Sequence, residues 1–184
     1  MAEVQHSEDS RIRPPAPRRM VAPQAPPAQS NISRELRSHL DRLQQLLDQS
    51  RADEALKLAT GRGSGSPLDV NARAVCLMRI GRPEEAVKIL RNIVLEGSSP
   101  YLKASAPVVF KSNFVTALAL SGNPVGAYRA LEDLREVAHP RLAELRLAIA
   151  QWVKTLSVWE RVQWTCGIEL NKPVLLSFPP GELT

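Results

Sequence analysis

The stretch Asn71-Ala-Arg-Ala74-Val-Cys-Leu77-Met-Arg-Ile80-Gly81-Arg-Pro83-Glu-Glu85-Ala86-Val87-Lys-Ile-Leu90 decides the fold. Ala74, Leu77 and Ile80 recur at the spacing of one helical face, and Gly81 stops the run. Pro83 stands where the first turn of a new helix tolerates a residue without an N–H. Glu84 and Glu85 then place negative charge at that helix's positive end. Ala86, five residues after Gly81, has no bulk, so the second helix can lie close against the first. The stretch reads as helix, tight left-handed turn, helix.

The same turn occurs on either side. Ser50-Arg-Ala-Asp-Glu54-Ala55-Leu56 precedes it and Gly122-Asn-Pro-Val-Gly126-Ala127-Tyr128 follows it, with the three alanines 31 and 41 residues apart. A small turn residue followed five positions on by alanine thus appears three times. The middle unit, with Ala74, Leu77, Gly81, Ala86 and Leu90 in order, resembles the tetratricopeptide repeat family. Phe114, Leu118, Gly122, Ala127 and Leu131 repeat the order in the third unit. The first keeps Leu43, Leu46, Ser50 and Ala55, and its second helix is cut short by Gly61, Gly63, Gly65 and Pro67. The resemblance covers about residues 34–137. Neither spacing equals the family's period of about 34, so one connection is shortened and another lengthened.

The resemblance implies an all-α fold, an α-solenoid of three antiparallel helical hairpins with a C-terminal capping helix. It also implies a concave groove lined by the first helix of each hairpin, with Gln44, Asn71, Val75, Met78, Arg79, Ser112 and Thr116 facing it. That mixture of amide, hydroxyl and guanidinium groups suits an extended peptide. The Lys/Asn/Arg clamp with which some family members hold a terminal carboxylate is not matched, so binding of chaperone tails is not expected. As surface groups, Asn71 and Arg79 are expected to contribute no more than about 0.5 kcal/mol each to stability.

Outside the repeats the chain divides into three parts: a tail 1–30, a helical domain 31–166 and an extended segment 167–184. Six of the fifteen prolines fall in residues 1–30, with little apolar bulk to bury, so this tail is expected to be disordered or polyproline-like. Helices are expected from about Ser33 to Asp48, Arg51 to Ala59, Leu68 to Ile80, Pro83 to Leu95, Pro107 to Leu120 and Pro124 to Val137. From Pro140, Leu142, Leu145, Ile149, Trp152, Leu156 and Trp159 form one stripe, as a capping helix requires. Ser157-x-x-Glu160 is a capping box, so that helix is expected to break near Thr155 and restart. Trp152 and Trp159 are expected in the core. Trp164, about 140° round from Trp159, faces elsewhere and is a candidate partner contact. The single strand candidate, Val174–Phe178, is hemmed in by Pro173, Pro179 and Pro180.

Composition narrows the function. The net charge of +5 is spread as +1, +3 and +1 over residues 1–30, 31–138 and 139–184, with no stripe to follow a phosphate backbone, so nucleic acid is not an expected partner. No apolar run reaches the 18 residues of a membrane span, and the N-terminus lacks the basic and apolar regions of a signal peptide. The expected location is the cytoplasm, and membrane association is not expected. Two isolated cysteines and three scattered histidines make no metal site, and no cofactor is expected. No phosphate loop, nucleophile elbow or zinc-protease motif occurs, so the chain reads as non-enzymatic. Two functions remain: an adaptor or scaffold that binds a peptide or protein partner in the groove, and a regulatory or targeting subunit that docks to a larger complex or membrane surface through its tryptophan-rich C-terminal helix.

Overall fold

The computed structural model describes residues 27–61, 65–97, 99–135 and 137–183, with side chains from residue 34 onward. Among them are eight helices and no strand: α1 (Pro27–Asp48), α2 (Ala52–Gly61), α3 (Pro67–Arg79), α4 (Pro83–Val94), α5 (Val108–Leu120), α6 (Pro124–Asp133), α7 (Pro140–Thr155) and α8 (Val158–Thr165). Residues 1–26 of the expected tail lie outside the described residues. α1 begins at Pro27, where proline fits a helix's first turn.

Three turns share one geometry. Ser50, Gly81 and Gly122 have φ of 58°, 77° and 81°, the left-handed region. The following N–H reaches back across each turn: Arg51 to the Leu46 carbonyl (2.9 Å), Arg82 to Leu77 (2.9 Å) and Asn123 to Leu118 (3.0 Å). These are Schellman closures, which satisfy carbonyls that the helix end would otherwise leave bare. Ala55, Ala86 and Ala127 are fully buried. In two turns the next arginine pairs with the acid three residues on, Arg51 with Glu54 and Arg82 with Glu85. Both pairs are exposed, and such pairs contribute little.

Each helix from α1 to α6 packs on its successor, and α1, α3, α5 and α7 also pack side by side in that order. One continuous core results, running from Leu43 in α1 to Leu156 after α7 and taking in Val174 and Leu183 beyond the helices. α5 lies at its centre, with ten buried residues from Phe110 to Ala119. α7 covers α5 and α6 with Leu142, Leu145, Ala148, Ile149 and Trp152. α6 ends at Asp133, short of the expected Val137, as the backbone turns at Leu134.

The stripe expected to continue from α7 into α8 is corrected. Leu156 takes an extended conformation (ψ 142°), and Ser157 caps a new helix by the reciprocal bonds with Glu160. That break rotates α8 out of phase, so Trp152 is buried (6% exposed) and Trp159 stands 70% exposed. Trp164 instead turns inward. Its ring meets Trp152 and Tyr128 edge to face, with centroids 5.5 Å apart in both pairs.

Candidate functional site

Residues 168–183 contain no helix or strand, yet they are anchored. Val174, the start of the expected strand, is fully buried, and its N–H donates to the Ala119 carbonyl near the end of α5 (2.9 Å). The chain then returns along α3 and α5. Arg79 Nε donates to the Pro180 carbonyl (2.7 Å) and Arg79 Nη2 reaches the Gly181 carbonyl (3.5 Å). Asn71 Nδ2 donates to the carbonyls of Glu182 (3.2 Å) and Leu183 (3.1 Å). Asn113 Nδ2 donates to the Glu182 carbonyl (2.7 Å), while Asn113 Oδ1 accepts the Glu182 N–H (2.9 Å). The contacts step from Arg79 back to Asn71 on α3 and from Ala119 back to Asn113 on α5. The segment therefore runs antiparallel to both helices, in a groove between them.

Side chains add selectivity to this backbone grip. Gly181 has φ +81°, and a Cβ there would lie 2.8 Å from Met78 Cε and 3.0 Å from Val75 Cγ2. Glu182 pairs with Arg141 of α7 (3.1 Å), and the Arg141 guanidinium lies over the Phe178 ring at 4.6 Å from its centroid. Leu183 is buried. Arg79 is pushed below its ordinary pKa, first by burial and then by the positive charge of Arg141. Asp48 opposes that shift for Arg79, while Glu182 supplies an anion to Arg141.

The residues that the sequence assigned to the groove divide clearly. Asn71, Val75, Met78 and Arg79 meet the segment 180–183. Ser112 and Thr116 are buried, and their hydroxyls donate to the carbonyls of Val109 (2.9 Å) and Ser112 (2.8 Å) on their own helix. Gln44 is exposed on α1 and donates to Asp48 (2.7 Å). Trp164 lies apart from the groove, within the Trp152–Tyr128 cluster. The expectation that Asn71 is a surface group is corrected: it is fully buried, with every polar atom of its side chain bonded.

Sequence reading missed Asn113, Arg141 and the segment itself. Asn113 carried a signal, being an amide in the middle of a helix that is buried nearly all round and whose other polar residues are Lys111, Ser112 and Thr116. Such a residue needs a partner. The segment carried a weaker one, the run Phe178-Pro-Pro-Gly-Glu-Leu183, whose prolines favour an extended backbone.

Other chemistry in the molecule is quiet. Burial pushes the Cys76 thiol up to about 12, which keeps it protonated and unreactive at neutral pH. Among the described residues no three His, Cys, Asp or Glu side chains gather as a metal site, and no helix is long and apolar enough to cross a membrane. No known protein family, no curated protein and no solved structure matches the chain.

Proposed function

We propose that the chain is a small solenoid of three tetratricopeptide-like hairpins, capped by α7, that works in the cytoplasm as a non-enzymatic adaptor binding an extended peptide of a protein partner. The observation that carries this reading is the pair Asn71 and Asn113, buried amides spent on the main chain of an extended segment. Amides aimed at peptide N–H and C=O groups recognise extended backbone as such, which is what a peptide-binding groove requires. The three matched turns and the side-by-side order of α1, α3, α5 and α7 support the solenoid. The test is selection of displayed random peptides on the full chain carrying Gly181→Val, which crowds the chain's own segment out of the groove. Enrichment of peptides whose binding is lost on adding Asn113→Ala supports the reading. Absence of any groove-dependent peptide overturns it.

A second reading, docking to a larger assembly through α8, has its own observation. Val158 (82% exposed), Trp159 and Val162 present apolar surface on a helix that buries none of its residues. Crosslinking of the full chain in a cell extract distinguishes the two readings by the face that is captured, α8 or α3 and α5.

A further inference from the structure

We infer that the groove selects peptides of the type aromatic-Pro-Pro-Gly-acidic-apolar, and that residues 178–183 sit in it as a built-in competitor for such a ligand. This rests on the peptide-binding reading above and adds to it the class of ligand and the means of control.

Each position of Phe178-Pro-Pro-Gly-Glu-Leu183 meets a distinct demand. Phe178 offers a ring face to the Arg141 guanidinium. Pro179 and Pro180 hold the backbone extended before binding, which lowers the ordering cost, and neither brings an N–H that the groove would have to satisfy. Pro180 still offers its carbonyl to Arg79. Position 181 favours glycine because its φ is left-handed, and a Cβ there would also press on the side chains of Val75 and Met78. Position 182 is acidic and pairs with the Arg141 guanidinium of α7. Position 183 places an apolar side chain out of water.

The fit of the chain's own segment is incomplete, and this makes it displaceable. Glu182 Oε2 and Arg141 Nε are both buried without a hydrogen-bond partner, although the two groups form one ion pair. An unmade bond at a buried charged group weakens the occupant that leaves it unmade. A ligand whose acid reaches Arg141 with both oxygens would gain what residue 182 forgoes. The competitor has the advantage of tethering. At an effective concentration of about 1 mM, a segment of ~10 μM intrinsic affinity weakens an equal free peptide about 100-fold.

The experiment uses a fluorescein-labelled peptide with the sequence of residues 177–184, Ser-Phe-Pro-Pro-Gly-Glu-Leu-Thr, titrated by anisotropy into full-length protein. The chain with Gly181→Val is expected to bind it at least tenfold more tightly than the unaltered chain. Adding Arg141→Ala is expected to abolish the gain, and a peptide with valine for its glycine is expected not to bind. Glu182→Arg, which sets like charge against Arg141 without altering the backbone, is a second opening variant, and circular dichroism checks that each variant folds. If the opened chains bind selected peptides in the groove but not this one, the ligand class is wrong and the peptide-binding reading stands. If they bind no peptide, both fail. A concentration-dependent dimer of the unaltered chain would overturn occupancy in cis in favour of exchange between copies.

Discussion

Asn113 donates its side-chain amide to Asn71 Oδ1 across the α3–α5 contact at 2.7 Å. The bond completes a closed set. The amide nitrogen of Asn113 serves Asn71 and the Glu182 carbonyl, its oxygen accepts the Glu182 N–H, and the Asn71 amide serves the carbonyls of Glu182 and Leu183. Both amide nitrogens donate twice, and each amide oxygen accepts once.

Asn113→Ala strands Asn71 Oδ1 and the Glu182 N–H together. Each buried unsatisfied group costs about 1–3 kcal/mol, so urea unfolding is expected to show a loss of at least that size. Asn71→Ala is expected to behave alike, and the double variant to lose less than the sum, with about 0.5–3 kcal/mol of coupling. Additive effects would contradict a shared set.

The three tryptophans are expected to separate in the order of their burial. Trp152→Ala removes a buried anchor and is expected to cost about 3–5 kcal/mol. Trp164→Ala, half-buried and in two edge-to-face contacts, is expected to cost roughly 1–3 kcal/mol. Trp159→Ala, largely exposed, is expected to stay within about 0.5 kcal/mol. Chemical unfolding of the three variants checks the order, and a large loss for Trp159→Ala would put that side chain in a contact it does not make here.

Ala86→Leu is expected to overpack the contact between α3 and α4. Ala86 is fully buried at the start of α4, and extra methylenes in a filled site cost about 1–3 kcal/mol. A lowered thermal midpoint is the expected result; an unchanged one would show that α4 can draw away from α3 at no cost.

Acid is expected to loosen α8 in a defined window. Glu160 is held from its ordinary 4.5 down to about 2, first by the Ser157 backbone N–H, then by Lys172 and the Ser157 hydroxyl. A carboxylate lowered on folding stabilises fully above the unfolded value, and that contribution fades below pH 4.5 and is gone below about 2. Tryptophan fluorescence, which includes Trp159 and Trp164 of α8, is expected to change through that window. Glu160→Gln removes the titrating group and is expected to flatten the change.

What the sequence made legible was local. Ser50, Gly81 and Gly122 are left-handed turn residues because a helix ending in a Schellman closure needs that backbone, and the need is written in neighbouring residues. The Ser157–Glu160 capping box was equally visible, yet its consequence for Trp159 was not, since a break of one residue rotates every later side chain and periodicity cannot carry phase across it. The burial of Asn71 was invisible for another reason. Its cover comes from residues 182 and 183, more than a hundred positions away, and no periodic pattern links them. Within the candidate groove, α3 supplied residues at the spacing expected of one helical face, whereas Asn113 and Arg141 become relevant only once the returning segment is in place.

That segment also bears on how the chain comes apart. Helices that touch only their neighbours along the sequence can fray from either end, unit by unit. The bonds from Arg79 to Pro180 and from Asn71 to Leu183 span 101 and 112 residues and lace α3 to material beyond α8. Closing so large a loop is slow to happen by chance, so docking is placed late in folding, after the helices it lies upon. Once made, the lacing obliges α3, α5 and α7 to melt in a single step, and its release would let the two ends of the array lose structure at different temperatures.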